Sequence, residues 1–440
     1  MITTLDYHCP GEETGIPASV HYARLSAGLA CCQECPHRHQ HGLLTIPATT
    51  LATAKTSATT TNNHSSQHSH SGLLLSHHDP QSWKKLIDQI AAWYWKQEPF
   101  APIARYEWSE TIVSTPRQPR IVIGFDGIPE TLTAIKFFSD NLSKAGIELV
   151  DLGHTLGTLL DFSISYLEGS GGIMLSHARG NHSQLIVDCQ NQHGSPLPEL
   201  LHQAELNPTS SQLSAPHITF QKPNSLREFN PVGAYESSIT RRIHGLRPLK
   251  IVIHIANDLG RVLLENITNE LPCDTIFIDH QAVNNPQIQA VQFVKTIRDE
   301  RADIGFAFSD DLRRVSLYNE LGRPLSTEQI FKIVSHQVLR EHPDQTYLLA
   351  TKFPALGEHL QIHGGIVQAN HELAKFAVEM QQYDSRLGID SSGTIWHGDP
   401  QPRRDGVLTM IHALKALSLN DTPVSQVVAT LDHLRGQVRA

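Results

Sequence analysis

The chain has 440 residues, 35 Lys plus Arg against 44 Asp plus Glu, and 40% hydrophobic residues. That length allows about two to four domains with a buried core and excludes both a stapled mini-protein and wholesale disorder. The formal charge of −9 argues against a general nucleic-acid binder, and no apolar run approaches the roughly 20 residues of a membrane span. Residues 1–10 lack a basic region followed by an apolar one, so the chain reads as soluble and cytoplasmic, with neither nucleic acid nor membrane as partner.

The first 80 residues stand apart in composition. Four of the six cysteines (Cys9, Cys31, Cys32, Cys35) lie there, as do ten of the 27 histidines. Cys32-Gln-Glu-Cys35, with Cys9 upstream and His37 downstream, has a ligand inventory suited to tetrahedral zinc, the fourth ligand coming from Cys31, His37 or His39. The alternative is a set of reduced thiols in a tail. Residues 1–46 are read as this Cys/His-rich module and 47–78 as a Thr/Ser/Asn/His linker.

Regular elements begin at Asp79-Pro80, an N-cap followed by proline in the first turn, with Trp83, Leu86, Ile87, Ile90, Trp93 and Tyr94 at helical spacing. A strand over 120–126 follows, then a helix over 129–145 with Leu132, Ile135, Phe138 and Leu142 on one face and Gly146 ending it. Strand 147–152, helix 159–167 and strand 171–175 complete a βαβ pattern with a mostly parallel sheet. A polar, proline-punctuated stretch occupies 190–245. The alternation then restarts: strand 249–255, helix 259–271, strand 275–279, helix 288–298 and strand 303–308. A turn at Glu320-Leu-Gly322 precedes a helix opened by a Ser326/Gln329 capping box. A third unit has strand 346–351, a largely helical 364–379, a Gly/Ser turn at 388–393 and a helix over 405–417. The expected architecture is α/β: three consecutive domains at 79–240, 241–342 and 343–440 behind the N-terminal module and linker.

The order of several segments resembles the α-D-phosphohexomutase family of phosphoglucomutase, phosphomannomutase and phosphoglucosamine mutase. Ile121-Val-Ile-Gly-Phe-Asp126, residues 145–153 and Gly171-Gly-Ile-Met174 are similar to the first-domain strands, the last of which leads to the family's phosphoserine loop. Gly305-Phe-Ala-Phe-Ser-Asp-Asp-Leu-Arg-Arg314 resembles the metal loop, and 388–393 with Asp405-Gly406 resembles the sugar loop and the final helix of the third domain. The resemblance covers roughly residues 80–432 and implies three α/β/α domains, a phosphoserine relay between oxygens of a sugar phosphate, and a magnesium ion that offsets charge on the moving group.

The loops depart from the family pattern. Where the family has Thr-Ala-Ser-His-Asn-Pro, this chain has Leu175-Ser-His-Ala-Arg-Gly. Ser176 and His177 are the candidate catalytic pair, Ser176 being either the phosphate carrier or a polar residue at a strand end. Where the family has Asp-Gly-Asp-Ala-Asp-Arg, this chain has Ser309-Asp-Asp-Leu-Arg-Arg314, so that Ser309 and Arg313 replace two carboxylates and Asp311, with Asp310 beside it, is left. Magnesium is therefore not expected, and both acids are expected to pair with Arg313 and Arg314. The sugar loop keeps Ser392 and Gly393 with Asp390 for the family's glutamate, read either as weak polyol binding or as a turn kept for backbone reasons. The family's phosphate-gripping fourth domain has no counterpart before Ala440.

These departures give three expectations. The first is a degenerate, non-catalytic binding or assembly module that self-associates or holds a protein partner across the face which the fourth domain covers elsewhere. The second is a diverged but active sugar-phosphate mutase, an intramolecular phosphotransferase of carbohydrate metabolism that uses Ser176. The third is a zinc-tethered regulatory subunit of a true mutase. At the face in question Arg313, Arg314, Arg403 and Arg404 are the residues that could instead keep a groove hydrated.

Overall fold

A computed structural model of the full chain describes residues 73–76, 79–97, 118–178, 181–197, 226–278, 286–398, 400–419 and 421–437. Cys9, Cys31, Cys32, Cys35, His37 and His39, the expected zinc ligands, lie outside them. Among the described residues no helix is long and apolar enough to cross a membrane.

The first unit begins with β1 (Leu73–Ser76) and α1 (Pro80–Gln97). As the sequence suggests, Asp79 caps this helix, its carboxylate accepting from the amide and hydroxyl of Ser82. Then come β2 (Arg120–Phe125), α2 (Pro129–Lys144), β3 (Glu148–His154), α3 (Gly157–Tyr166), β4 (Gly171–Ala178), β5 (Asn181–Asn191), β6 (Arg227–Glu228) and α4 (Val232–Thr240). The six strands lie in the order β1-β5-β4-β2-β3-β6, with β5 antiparallel to both of its neighbours and the rest parallel. Helices α1 and α2 bury Trp83, Ile87, Phe138 and Leu142 on one face, and α3 packs Leu160 and Ile164 on Val122 and Met174 on the other.

Three expectations fail in this unit. Leu132 is 38% exposed, and the buried stripe of α2 runs instead through Thr131, Ala134, Ile135, Phe138 and Leu142. The stretch read as a polar connection contains α4, whose Tyr235 and Ile239 are fully buried. Strand β4 does not stop at Leu175. It continues to Ala178 and pairs with β5, a long strand not foreseen, because Leu185 and Val187 bury themselves on the α1/α2 face.

The second unit holds β7 (Lys250–His254), α5 (Asp258–Asn269), β8 (Asp274–Phe277), α6 (Pro286–Asp299), β9 (Ile304–Phe308), β10 (Val315–Asn319) and α7 (Thr327–Glu341). Its sheet runs β10-β9-β7-β8, with β10 antiparallel at the edge. The Ser326/Gln329 capping box forms as expected. The third unit comprises β11 (Thr346–Ala350), α8 (Pro354–Ile362), β12 (Ile366–Asn370), α9 (Phe376–Gln382), β13 (Leu387–Ile389), β14 (Ile395–His397), β15 (Arg403–Arg404), α10 (Gly406–Leu417) and α11 (Val424–Gln437). Its sheet runs β12-β11-β13-β14-β15. The expected helical run at 364–379 is corrected: Ile366–Asn370 is a parallel edge strand, with a helix only after it. Three α/β units in series are thus present. One continuous apolar core joins the second and third and takes in Leu156, Leu159 and Tyr235 of the first.

Candidate functional site

Ser176 and His177 sit in β4 opposite Ile186 and Leu185 of β5. Side chains alternate along a strand, so Ser176 shares the face of Met174 and Asp188, on which α3 lies, and His177 points to the opposite face. Asp126, just beyond β2, joins the two strand ends. Its Oδ2 accepts from the His177 amide at 2.8 Å and lies 3.4 Å from the His177 ring. Its Oδ1 accepts from the Ile128 amide and the Thr131 hydroxyl at the start of α2. Both Ser176 and His177 are half-buried.

The 309–314 loop connects β9 to β10 and is knotted by its first residue. The Ser309 hydroxyl donates to Asp311 Oδ1 at 2.6 Å and accepts from the Arg314 amide at 3.0 Å. Asp311 also accepts from the Arg313 amide at 3.2 Å. Crowding by the protein pushes the Asp311 carboxyl up, but the charge of Arg313 and the Ser309 hydroxyl outweigh it and hold the group below its ordinary range. Leu312 is fully buried at φ +58, a left-handed conformation that costs a non-glycine residue about 1–2 kcal/mol. Its carbonyl accepts from the Gly406 amide at 2.8 Å, and the Asp311 carbonyl accepts from Thr158 at the start of α3 at 3.0 Å. The loop is thereby docked against both the first and the third unit.

Arg313 carries that docking into the interior. It is 8% exposed and threads past Gly157, where a Cβ would stand 2.7 Å from its Nε, so only glycine lets the side chain through. Its guanidinium contacts Asp161 of α3 at 2.5 Å and Asp188 of β5 at 2.7 Å, with Asp311 farther away at 3.8 Å. Arg404 of β15 joins the same carboxylate of Asp161 at 3.1 Å and lies 5.2 Å from the Trp396 ring. Two buried acids and two buried guanidiniums therefore form a neutral cluster with members from all three units. Burial pushes the Asp188 carboxyl up, yet Arg313 and Arg404 overcome this and hold it below the usual carboxylate range, while the same acids raise Arg313. Beside it, Arg403 pairs with Asp405 at 3.1 Å, and Asp405 accepts from the Tyr235 hydroxyl and caps α10 through the Val407 and Leu408 amides.

This arrangement corrects two expectations. The close partners of Arg313 are acids of the first unit rather than its loop neighbours, because the chain turns inward at Leu312. Arg313, Arg403 and Arg404 do not hydrate an open groove, since all three are buried in ion pairs.

The 388–394 turn is likewise inward-facing. Asp390 is 2% exposed. Its Oδ1 accepts from the amides of Ser392 and Thr394 and from the Ser392 hydroxyl at 2.6–3.0 Å, and its Oδ2 accepts from Trp396 Nε1 at 2.8 Å. Gly393 takes φ +86, as this turn requires. Three residues beyond this turn, the His397 ring meets the Thr409 hydroxyl at 2.9 Å and stacks on His412. Burial, His412 and Arg403 drive its pKa well below the ordinary histidine value.

Ser176 is thus placed on the face that holds Asp188 and its partner Arg313, whereas His177 faces Asp126 and Asp390 is committed to Trp396. Magnesium asks for several oxygen ligands in near-octahedral array. The 309–314 loop does not fit it: Asp311 is engaged by Ser309 and faces a guanidinium at 3.8 Å, and the residue after Leu312 turns away into the core. The sequence did not single out Asp161, Asp188 and Tyr235, and it marked Asp405 only as the start of the last helix of the third unit. The available signal was Asp161 within an otherwise apolar helical face and Asp188 within an apolar alternation, two acids in places that demand buried partners.

No family model matches the chain. In sequence it is similar to a phosphoglucosamine mutase of Nostoc punctiforme, 24% identical over 307 residues that make up 66% of this chain and 62% of that protein. A phosphoglucomutase of Neisseria gonorrhoeae is 22% identical over 334 residues, 71% of this chain and 69% of that protein. The chain therefore spans about two thirds of the length of these relatives. In fold it is similar to a phosphoglucomutase/phosphomannomutase family protein of Burkholderia thailandensis, with a TM-score of 0.65 at 15% identity over 82% of this chain and 78% of that one. Parafusin, a phosphoglucomutase of Paramecium, gives a TM-score of 0.60 at 12% identity, covering 82% and 73%.

Proposed function

We propose that this chain, similar in sequence and fold to phosphohexomutases, is a non-catalytic member of that superfamily whose retained fold serves binding or assembly. The observation that carries this reading is Arg313. The residue at the third carboxylate position of the metal loop is a buried guanidinium held by Asp161 and Asp188, so the segment that would organise a dication instead fastens the second unit to the first. Phosphoryl transfer depends on positioning and on cationic stabilisation of the moving group. A loop whose charges are already neutralised internally supplies neither. Asp390, 2% exposed and already holding four donors within its own turn, is likewise turned away from a sugar hydroxyl. Under this reading the N-terminal Cys9, Cys32, Cys35 and His37 hold a structural zinc, and the assembled units present a surface to another polypeptide or a second copy.

The test is turnover by the purified chain, supplied with magnesium, on the 1-phosphates of glucose, mannose and glucosamine, with the corresponding bisphosphate as activator. No interconversion is expected. Magnesium-dependent turnover that disappears in Ser176→Ala would overturn the proposal in favour of a diverged active mutase.

A further inference from the structure

A groove of about 700 Å³ opens at the end of the second sheet opposite the 309–314 loop. Its walls come from residues preceding β7 and β9, the turn after β10 and the start of α11. The volume falls within the range of small-molecule pockets, about 300–1,000 Å³.

Four arginines line it: Arg247, Arg298, Arg301 and Arg323. Three acids also face it, but each is already engaged. Asp303 accepts from the Lys250 amide at 2.7 Å, Glu320 from the amide and hydroxyl of Ser425, and Asp421 pairs with Arg247 at 3.1 Å. Arg298 donates through Nε to the Leu321 carbonyl at 2.8 Å, which fixes the plane of its guanidinium. Arg298, Arg301 and Arg323 have no ion-pair partner among the described residues. With Arg247 they set four positive charges against the three carboxylates around one concavity, an excess of one, and the three guanidiniums without ion-pair partners are the groups that can turn to an anion.

Arg301 adds an independent observation. It is the second residue past α6, with its amide bonded to the Arg298 carbonyl and the next amide, that of Ala302, bonded to the Ile297 carbonyl. This is the left-handed helix end where glycine is favoured, and Arg301 adopts φ +52 there. A long cationic side chain thus stands where the backbone disfavours any side chain. The floor is apolar, with Leu249 buried and Leu321 45% exposed.

We propose that this groove binds a small molecule with two adjacent phosphoryl groups on an apolar or planar body. Adjacent phosphates match three guanidiniums better than a single phosphate does, and the exposed side chain of Leu321 supplies apolar surface for the remainder. The site is roughly 15 Å, one strand length, from the 309–314 loop, and it is independent of whether that loop supports catalysis.

Calorimetric titration of the full chain with inorganic pyrophosphate, ADP and orthophosphate tests it. One site per chain is expected for pyrophosphate, with ADP competing for it and orthophosphate about tenfold or more weaker. Arg301→Gly suits the helix end and should keep the fold, so its melting temperature is expected to hold or rise while pyrophosphate affinity falls about tenfold. Arg241→Gln, an exposed substitution on another helix end, is expected to leave binding unchanged. Absence of binding by both pyrophosphate and ADP, equal affinity for orthophosphate, or affinity unaffected by both Arg301→Gly and Arg323→Gln would each overturn the proposal.

Discussion

The two ends of the second sheet use arginine in opposite ways. At the end from which the 309–314 loop emerges, Arg313 is buried between Asp161 and Asp188, and its charge is spent on holding units together. At the other end Arg298, Arg301 and Arg323 ring an open groove without ion-pair partners among the described residues. The difference lies in what the neighbouring elements bring: α3 and β5 deliver acids to the first site, whereas the acids at the second are committed to backbone amides, Ser425 and Arg247. Charge composition alone does not assign a role to an arginine; the partners supplied by the fold do.

The largest expected effect comes from breaking the buried cluster. Asp161→Ala leaves Arg313 and Arg404 without their shared acid and is expected to cost about 3–5 kcal/mol, measured as a lower denaturant midpoint. Replacing Arg313 with aspartate, which nominally restores a family carboxylate, places a third acid beside Asp161 and Asp188. It is expected to destabilise the chain at least as much and to create no magnesium-dependent stabilisation; a melting temperature raised by magnesium in Arg313→Asp would contradict this account of the loop.

An intermediate effect is expected from the passage that admits Arg313. Gly157→Ala puts a methyl group 2.7 Å from its Nε and is expected to cost about 1–3 kcal/mol through displacement of the ion pairs. A variant as stable as the parent would show that the cluster tolerates a shifted Arg313.

The third unit has a pH signature of its own. Because His397 is held neutral well below the ordinary histidine pKa, the unfolded chain takes up a proton there that the folded chain refuses. Stability from this group is present above about pH 6.5 and falls as pH drops through that unfolded value. His397→Gln is expected to flatten thermal stability between about pH 7 and pH 5; an undiminished slope would remove His397 as the cause. The smallest expected effect is a gain: Arg301→Gly relieves the left-handed strain and is expected to stabilise by about 0.5–1 kcal/mol in the absence of polyphosphate.

The sequence by itself determined the α/β alternation, the three serial units and the family resemblance, because strand and helix periodicity and caps such as Asp79 and Ser326 are local properties. It also marked the positions where the loops had changed, since Ser309 and Arg313 are visible as letters. Tertiary structure alone decided what those letters do. Strand β12 was missed because its pairing with β11, not its own pattern, makes it a strand, whereas the alternation of Leu185, Val187 and Cys189 in β5 was passed over within a polar stretch. Leu132 was misplaced because the first sheet fixes which stripe of α2 is covered. The inward turn at Leu312, the glycine gap at Gly157 and the meeting of Asp161, Asp188, Arg313 and Arg404 join residues up to 243 positions apart. No local period encodes such contacts, and only the packing of three sheets around one cluster specifies them.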